Sequence, residues 1–394
     1  MSVKYADKLK KDTRTTILAL SWRDIKSPTA GGAEVHTHEM LKRIDKKKYR
    51  VIHLAASYER LPESEIIDGV QYIRKGNIFS VIGYACIYYK SNKKNIDYVI
   101  EQCNTHRFFT PLWIKSSRRI FYIHQLTREI WDINMRFPLN KLGKWTESMC
   151  LKLNKNDHVI TVSESTKSEL IELGYSSKKI TIIPNGIAFR PWSKDQWYAK
   201  EKIPTFVYVG RYMGYKGIDA AVESIGMLKK EGIEARLWLL GKRDIQYIEE
   251  KLLPICRQYE IVMGKDNISS DVISWGFVEE EKKRELLSRA TALVFPSVRE
   301  GWGIPITEAG VVGTPSIVYN APGIRDAVNC GKAGYLCKKN SPDGLKEIMR
   351  FVIQDKEYEN RRAQAYEFSN DFQWDNNSKK IELFFENLKK NKEN

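Results

Sequence analysis

Hydrophobic runs that suit buried strands alternate with longer amphipathic stretches through the first half of the chain. The runs are TTILALSW from residue 15, YRVIHLAA from 49, DYVIEQC from 97, RRIFYIH from 118 and HVITVS from 158. Between them, apolar residues recur at helical spacing over 32–45, 139–155 and 164–173. Ser163 is placed as the N-cap of the last helix and Gly174 as its stop signal. This order predicts a parallel sheet covered by helices.

The same alternation repeats after residue 205. The predicted strands are TFVYVG, ARLWLL, VISWGF, ALVFPS and PSIVYN, and the predicted helices cover 218–231, 246–259, 279–290 and 304–312. The fold class is therefore α/β, with two Rossmann-like, doubly wound parallel-sheet domains. Because such sheets carry their functional loops at the carboxyl ends of the strands, we expect the two domains to face each other across a ligand cleft.

A polar, proline-rich stretch without a hydrophobic period separates the two halves. We assign residues 1–190 to an N-terminal domain, 191–204 to a linker and 205–372 to a C-terminal domain. The following segment, 373–390, places Trp374 and several other apolar side chains near one face of a helix. We expect this C-terminal helix to pack back on the N-terminal domain.

Composition indicates an ordered cytoplasmic protein. The six cysteines form no CxxC pair and no Cys/His spacing typical of a metal site, which favours reduced structural thiols and predicts no bound metal. The N-terminus has no signal-type apolar stretch. The longest apolar run, 78–89, is shorter than the ~20 residues that a spanning helix needs. We therefore expect no membrane-spanning segment.

Positive charge is concentrated in the N-terminal half. The formal charge of the chain is +16, and residues 1–195 hold 34 Lys and Arg against 20 Asp and Glu. Such a surface can attract anionic lipid, an anionic acceptor or nucleic acid, and it can also serve only to keep the protein soluble. Nucleic acid is disfavoured as a partner because no groove-reading helix, aromatic-basic sheet face or basic tail is evident.

Two adjacent glycines, Gly31 and Gly32, follow the first predicted strand and stand at the start of a helix. Small residues and the N–H groups of a helix start suit an anion such as a diphosphate, although a turn that needs glycine for its geometry is the simpler alternative. The spacing is neither GxGxxG nor GxxxxGK[ST], which counts against a dinucleotide-dependent dehydrogenase and a P-loop NTPase. Asp24 and Glu34 nearby are weak candidates for contacts with an acceptor. The simpler alternatives are a solvated aspartate and a glutamate that serves the N-terminus of the helix.

Two loops of the second half carry candidate ligand-binding side chains. Arg211 and Lys216 follow the first strand of this half, and their positive charges suit a diphosphate and the negative charge that grows on a leaving nucleotide. Glu300 and Glu308 flank a Gly-rich strand-to-helix turn within 294–318. A loop carboxylate can accept hydrogen bonds from sugar hydroxyls, and a carboxylate one helical turn further on can bind the vicinal hydroxyls of a ribose.

Taken in order, these pieces resemble a retaining glycosyltransferase of family 4, the glycosyl transferases group 1, with the GT-B architecture. The matching segments are AGGAE at 30–34, IHQ at 123–125, VSEST at 162–166, IIPNGI at 182–187, VGRYMGYKGID at 209–219, WGF at 275–277 and EGWGIPITEAGVVGTP at 300–315. The resemblance implies two Rossmann-like domains, an acceptor-binding N-terminal domain, a donor held mostly by the C-terminal domain, and no cofactor or metal.

The resemblance also implies roles for individual residues. It gives Arg211 and Lys216 the donor diphosphate, Glu308 the ribose and Glu300 the transferred sugar. His124 would lie near the sugar and the reacting centre. The remaining donor-binding positions implied are the glycine pair and the turn into the last motif helix: Gly31, Gly32, Gly301, Gly303, Ile304, Pro305, Ile306 and Thr307. Ser163 and Asn185 match motif positions that we interpret as structural, and Trp302 and Ile304 stand where sugar selectivity would be shaped.

The implied reaction moves a hexose-type sugar from a nucleotide-diphosphate sugar to a hydroxyl of a saccharide or lipid-linked saccharide, with UDP favoured over GDP. No DxD motif lies at a suitable strand end, so cationic side chains would stabilise the leaving diphosphate in place of a metal. A lipid-linked acceptor would explain the basic N-terminal half, which could lie against the inner face of the cell membrane. Two alternatives stay open at this stage: a non-catalytic GT-B subunit of a glycosylation complex, and a sugar-nucleotide epimerase.

Overall fold

The computed structural model describes residues 9, 12–103, 106–265 and 270–393. It divides into two compact units. Unit 1 combines Met1–Leu126, Lys144–Gly186 and Trp374–Asn394, and unit 2 combines Thr127–Gly143 with Ile187–Gln373. The segment Thr127–Gly143, which the sequence places in the N-terminal domain, therefore groups with unit 2.

Both units contain the predicted strands together with further short strands that the sequence analysis does not predict. Those of unit 1 are β1 (Thr15–Leu20), β2 (Tyr49–Ala55), β3 (Ser64–Ile67), β4 (Val70–Arg74), β5 (Tyr98–Cys103), β6 (Arg119–Ile123), β7 (His158–Thr161) and β8 (Ile180–Ile182). Those of unit 2 are β9 (Thr205–Val209), β10 (Arg236–Leu240), β11 (Met263–Gly264), β12 (Val272–Gly276), β13 (Ala292–Phe295), β14 (Ser316–Val318) and β15 (Tyr335–Leu336).

The helices fall between the strands and after the last of them. They are α1 (Gly32–Lys42), α2 (Val81–Asn92), α3 (Glu129–Asn134), α4 (Leu139–Lys152), α5 (Glu164–Glu172), α6 (Ile218–Lys230), α7 (Ile245–Tyr247), α8 (Leu253–Tyr259), α9 (Glu280–Arg289), α10 (Ile304–Gly310), α11 (Ile324–Ala327), α12 (Pro342–Ile353), α13 (Tyr358–Asn370) and α14 (Trp374–Glu393). The π-helical stretch Ile248–Leu252 joins α7 to α8. Ser163 caps α5 as predicted, because its side chain accepts the N–H of Thr166.

Each unit contains one sheet in which the first strand lies in the middle. The order in unit 1 is β3-β4-β2-β1-β5-β6-β7-β8, and only the β3–β4 pair is antiparallel. The order in unit 2 is β11-β12-β10-β9-β13-β14-β15, with parallel pairing throughout. In unit 1 the strands up to β4 are added on one side of β1, and those from β5 onward on the other side. In unit 2 the same reversal occurs between β9 and β13. Loops at the carboxyl ends of such strand pairs are where open α/β sheets bind ligands.

The predicted linker, residues 191–204, packs on unit 2 in this structure. The N–H of Trp192 donates to the carbonyl of Val311 at 3.0 Å. The ammonium of Lys200 donates to four oxygens, those of Ser288, Ala290, Gly313 and the Thr314 hydroxyl, at 2.7–3.2 Å. Lys200 thereby donates to buried backbone carbonyls of unit 2, of which that of Gly313 also accepts the Arg362 guanidinium at 2.9 Å. These hydrogen bonds hold the segment on unit 2 despite its polar composition.

The C-terminal helix α14 belongs to unit 1. The side-chain amide of Asn377 donates to the carbonyl of Pro184 at 2.9 Å, and the ring of Phe385 lies 5.5 Å from that of Tyr49. Trp374 covers Gly186 so closely that a Cβ at this glycine would come within 2.4 Å of the indole. The helix is thus held through its apolar face, as its periodicity predicts.

The apolar run 78–89 is largely α2, a helix with one buried face. Val81, Ala85 and Tyr88 pack into the core together with Leu18 and Val99 of the sheet. Across the part of the chain that the structure describes, no helix is both long and apolar enough to span a membrane.

Candidate functional site

In unit 2, the loops after β9 and β13 lie side by side because these two strands are neighbours. The first loop forms a short 3-10 helix, Gly214–Lys216, before α6. The ammonium of Lys216 forms an ion pair with the carboxylate of Glu300 from the second loop. The hydroxyl of Ser297 donates to Glu300 Oε1 at 2.8 Å, which fixes the carboxylate from a second side. The structure therefore brings together two of the residues that the sequence predicts for the donor.

Gly217 permits the two loops to approach closely. Its φ of +69° lies in the left-handed region, and a Cβ at this position would stand 2.3 Å from the carbonyl oxygen of Pro296. Both features exclude a side chain. The N–H of Val298 donates to the carbonyl of Tyr215 at 2.9 Å, a second link between the loops. Lys216 and Glu300 are thus carried on a backbone that the glycine and this hydrogen bond hold in place.

Arg211 lies at the start of the same β9 loop and is exposed. Its backbone carbonyl accepts the Tyr208 hydroxyl at 2.9 Å. Within the described part of the chain, its guanidinium makes no ion pair. No carboxylate of the described residues neutralises this charge, whereas Lys216 is held in place by Glu300.

Glu308 lies in α10 and is buried against Lys283 of α9. Its two carboxylate oxygens stand 3.0 and 3.1 Å from the Lys283 ammonium. Burial raises the pKa of Glu308, and the lysine opposes that rise. Burial lowers the pKa of Lys283, but Glu308 and Glu280 more than offset this and raise it. The sequence analysis does not identify Lys283 as the partner of Glu308, because nothing in the charged run of α9 distinguishes this lysine from its neighbours.

The turn into α10 keeps its predicted residues together but uses up part of their hydrogen-bonding capacity. Gly303 is the N-cap with a φ of +98°, Pro305 has no N–H, and the N–H of Ile306 donates to the Gly303 carbonyl at 2.9 Å. Gly301 and Thr307 are buried, whereas Ile304 and Pro305 are partly exposed. Fewer backbone donors are therefore open to a phosphate than the sequence pattern suggests.

Trp302 is buried, and its ring packs 4.7 Å from that of Phe372. The buried indole therefore packs beneath the turn and holds it in position. The selectivity role predicted for Trp302 would therefore have to act through the position of the turn, whereas Ile304 is partly exposed.

The α3 segment supports the β13 loop, and the sequence gives no hint of this. The guanidinium of Arg299, itself buried, pairs with the carboxylate of Glu129. Ile133 of the same helix lies next to Gly214, 3.5 Å from where a Cβ would stand. Helix α3, which follows His124 by a few residues in the sequence, thus packs against the two loops that carry Lys216 and Glu300.

In unit 1, the carboxylate of Glu34 accepts a hydrogen bond from the backbone of the glycine loop. Its Oε2 accepts the N–H of Gly31 at 2.7 Å, and its Oε1 pairs with Arg23 at 2.9 Å. This is one half of a capping box, in which the N3 carboxylate accepts the N–H of the N-cap residue; Gly31 has no side chain to supply the other half. Gly31 is extended, with a φ of −143°, and Gly32 is exposed at the loop. Because Glu34 is buried and both its oxygens are engaged, the structure supports the helix-capping alternative.

Asp24 does not fit the predicted acceptor contact. It is completely buried, and its carboxylate pairs with the equally buried Arg74 at 2.5 Å and accepts the Ser27 hydroxyl at 3.2 Å. A carboxylate neutralised inside the domain cannot also reach a bound acceptor. We therefore correct this interpretation to a structural role.

His124 follows β6 and has a buried imidazole edge. Its Nε2 finds no hydrogen-bond partner among the residues described, and burial holds its pKa well below the ordinary value. The ring meets His36 edge-on at 5.2 Å and lies 4.8 Å from Tyr122. The hydroxyl of Thr166 donates to its backbone carbonyl at 3.1 Å. A neutral imidazole with an unused nitrogen can exchange a hydrogen bond with a ligand but carries no charge.

Neither unit assembles a metal centre from the side chains described. No group of three or more His, Cys, Asp or Glu residues in the ranges 9, 12–103, 106–265 and 270–393 is arranged to hold an ion.

Comparison with known families covers almost the whole chain. Residues 30–189 match the model of Glycosyltransferase Family 4, and residues 190–368 match that of Glycosyl transferases group 1. The two matches meet between residues 189 and 190, at the end of the predicted N-terminal domain and just before the predicted linker.

Individual proteins agree with these matches. The chain is 28% identical over 225 residues to glycogen synthase of Mycobacterium tuberculosis, covering 56% of this chain and only 52% of that enzyme. It is 24% identical to an uncharacterised glycosyltransferase of Methanocaldococcus jannaschii over 88% of this chain and 92% of that protein. Sucrose-phosphate synthase of Thermosynechococcus elongatus superposes with a TM-score of 0.76 at 18% identity, over 95% of this chain and 99% of that one.

Proposed function

Because the chain belongs to the glycosyl transferases group 1 family and is a glycosyltransferase of the GT-B fold, we propose that it transfers a hexose-type sugar from a nucleotide-diphosphate sugar, with retention at the anomeric carbon. UDP is the favoured nucleotide and GDP the next. The acceptor is a hydroxyl of a saccharide or a lipid-linked saccharide, in the synthesis of a cell-surface polysaccharide or glycoconjugate.

The observation that carries this proposal is the pairing of Lys216 with Glu300 next to the exposed Arg211. A diphosphate at the carboxyl end of β9 would meet two cations on one loop. As the bond between the anomeric carbon and the diphosphate breaks, negative charge grows on the leaving oxygen, and preorganised cations stabilise that charge most strongly. Glu300 then remains beside the sugar as an acceptor for its hydroxyl groups.

Glu308 supplies the second anchor of the proposed donor. Its carboxylate is held by Lys283 and can accept hydrogen bonds from the two ribose hydroxyls. A buried carboxylate fixed by a neighbouring ammonium loses little side-chain entropy on binding, which favours a defined position for the nucleoside.

We propose that no metal and no protein base is required. Arg211 and Lys216 take the place of a divalent cation, and the leaving phosphate accepts the proton of the acceptor hydroxyl while that hydroxyl attacks the same face of the sugar. His124 is neutral, since burial holds its pKa well below the ordinary value. Its role would be to position a hydroxyl group near the reacting centre by a hydrogen bond.

The acceptor side of the proposal rests on unit 1, which carries most of the positive charge. A lipid-linked saccharide at the cytoplasmic face of a membrane would be drawn to such a surface together with the anionic lipids around it. This acceptor class places the enzyme in the cytoplasm, in peripheral contact with the membrane.

Calorimetric titration of the full chain with UDP, GDP, dTDP and ADP, all with EDTA present, tests the donor assignment. Glu308→Ala is measured in parallel, and Glu231→Ala, a surface change on the same unit, is the matched control. We expect one nucleotide to bind, the Glu308 variant to lose that binding and the control to keep it.

The remaining alternatives have distinct outcomes. Absence of binding to all four nucleotides would favour a non-catalytic subunit. Binding followed by conversion of the free sugar nucleotide into a stereoisomer, without transfer to an acceptor, would identify an epimerase. Retention is tested by the anomeric coupling of the product formed from a donor of known configuration.

A further inference from the structure

Two helices of unit 1, α2 and α4, cover the same face of the sheet. Leu18 is opposite Val99 in the β1–β5 pairing, and Glu101, two residues further, is opposite Phe121. Because side chains alternate along a strand, Leu18, Val99 and Phe121 point to one face.

The core contacts show which helices lie on that face. Val81 and Ala85 of α2 pack in one cluster with Leu18 and Val99. Leu151 of α4 packs in a second cluster with Phe121. Since both helices turn their buried sides toward one sheet face, their outer sides look out from the same side of unit 1.

Large apolar side chains are exposed along these outer sides. On the part of α4 that belongs to unit 1, Trp145 is 62% exposed and Met149 is 50% exposed, and Leu153 continues the row one turn later. At α2, Phe79 is 74% exposed, and Ile87 is exposed two turns further along the helix. A tryptophan with most of its surface in water lacks the packing that would stabilise it in a free protein, and a row of such residues marks an interaction site.

Lysines accompany the apolar row. Lys90 lies on the outer side of α2, three residues after Ile87, and Lys94 lies just beyond the end of that helix. Lys152 lies seven residues after Trp145 on α4, with Lys155 just beyond the helix. All four are exposed, and in the described part of the chain none of them is paired with a carboxylate. The next helix along the chain, α5, carries Glu164, Glu169 and Glu172 against the single lysine Lys167.

We propose that the outer sides of α2 and α4 dock unit 1 on an anionic lipid bilayer. Tryptophan, phenylalanine and aliphatic side chains flanked by lysines are the composition of surfaces that lie in the headgroup region, with the rings below the phosphates and the ammonium groups among them. This inference rests on the proposed function only in its lipid-linked acceptor. It adds the partner surface and the residues that contact it.

Flotation of the full-length protein with phosphatidylcholine vesicles, with and without phosphatidylglycerol, tests the surface. We expect flotation only with the anionic vesicles and its loss at high salt. Trp145→Glu with Met149→Glu should reduce the bound fraction at least tenfold. Lys152→Glu with Lys155→Glu should weaken binding at least twentyfold, because each lysine near anionic lipid contributes roughly fivefold in affinity.

Matched controls separate the surface from general effects. Ile66→Glu introduces the same charge at another exposed apolar residue of unit 1. Lys47→Glu with Lys48→Glu makes the same change in net charge at two exposed lysines before β2. Both controls should float like the unmodified protein, and all variants should bind nucleotide with unchanged affinity because the changes lie outside unit 2.

Three results would overturn the inference: no flotation of the unmodified protein with anionic vesicles, flotation of the Trp145 variant at the unmodified level, or a dimer in solution that Trp145→Glu dissociates without any lipid dependence. The last result would assign the surface to a second copy of the chain. Nucleotide binding that persists without flotation would remove this inference and leave the proposed function standing, and flotation without nucleotide binding would do the reverse.

Discussion

The ammonium of Lys216 is paired with the carboxylate of Glu300, 84 residues further along the chain. The pairing arises from topology, because β9 and β13 are adjacent parallel strands whose carboxyl ends carry the two loops. Each side chain is mostly buried, with 14% and 13% of its surface exposed. A charged pair of this kind, held by Ser297 from a further side, is preorganised for a ligand that carries both phosphate and hydroxyl groups.

Replacing either cation of the β9 loop should slow sugar transfer. For Lys216→Ala and for Arg211→Ala we expect a loss of ~10²-fold in kcat, which corresponds to ~3 kcal/mol of transition-state stabilisation per preorganised donor. Lys242→Ala, a change in the loop after β10, is the control. Steady-state kinetics with a saturating donor measures the effect, and unaltered turnover in both variants would refute the assignment of the diphosphate to this loop.

Gly217 should be more sensitive to alanine than Gly232, although both have positive φ values near +70°. At either site alanine costs ~1–2 kcal/mol for the left-handed backbone. Only at Gly217 does the new Cβ also collide with a backbone carbonyl, that of Pro296, whereas nothing lies within 4 Å at Gly232. We expect Gly217→Ala to lower both thermal stability and kcat, and Gly232→Ala to lower stability alone.

Equal activity losses in the two glycine variants would show that the loop contact does not position Lys216. Differential scanning fluorimetry and initial rates on the same preparations make the comparison direct.

The ion pair of Glu308 with Lys283 predicts a pH-dependent effect on nucleotide affinity. Burial raises the pKa of Glu308, and Lys283 opposes it, so Lys283→Met should raise that pKa further and leave more of the carboxyl group protonated near neutral pH. We expect this variant to bind the nucleotide more tightly as the pH rises through the shifted pKa. Glu308→Gln should bind weakly at every pH, and a Lys283→Met affinity that does not change with pH would contradict the proposed ribose contact.

The alternation of strands and helices could be predicted from the sequence because both sheets are almost entirely parallel and doubly wound. Buried β-branched runs such as those of β1 and β9 have strong signals, and the helices between them have clear periods. The hairpin of β3 and β4 and the short strand β8 were not predicted, since β3 is exposed at a sheet edge and β8 has only three residues.

The candidate site could be predicted only as far as its motifs extend. Lys216 and Glu300 lie in recognisable loops and Glu308 in the helix that follows one of them, but their partners Ser297 and Lys283 are ordinary residues whose role depends on strand order. Asp24 illustrates the reverse error: its place next to a glycine loop suggested a ligand contact, while Arg74, 50 residues away, neutralises it inside the domain. Distant pairing of this kind leaves no local pattern in the sequence.

Lys200 should contribute strongly to stability, although the sequence predicts a linker at this position. Its ammonium donates to Ser288, Ala290, Gly313 and Thr314. Lys200→Met would remove this donor from the carbonyls of Ser288 and Ala290, whereas the carbonyl of Gly313 would keep its hydrogen bond from the Arg362 guanidinium. We expect a loss of about 3 kcal/mol in the free energy of unfolding. Urea denaturation measures it. Lys194→Met, at an exposed position of the same segment, should cost less than ~0.5 kcal/mol, and similar losses for both would mean that the Lys200 contacts are not formed.

His36 predicts acid sensitivity of unit 1. The imidazole is completely buried, its Nε2 faces the carbonyls of Ile183 and Pro184 at 3.2 and 3.3 Å, and its Nδ1 meets the hydroxyl of Tyr122. Nε2 must therefore carry the proton, and Nδ1 accepts from the tyrosine. Burial lowers the pKa of His36 to about 4, from an ordinary value of 6.5.

Between these two pH values the unfolded chain binds a proton that the folded protein rejects, so stability is complete above pH 6.5 and falls as the pH drops toward 4, by about 3 kcal/mol for this group. His36→Gln keeps an amide donor for the carbonyls but cannot titrate, and its unfolding free energy should fall less steeply over this range. His158→Gln removes a half-buried histidine and serves as the control. Urea unfolding at intervals from pH 7.5 to 4 gives the slopes. If the His36 variant and the unmodified protein lose stability in parallel, the buried imidazole does not titrate in this range and the acid sensitivity belongs to other groups.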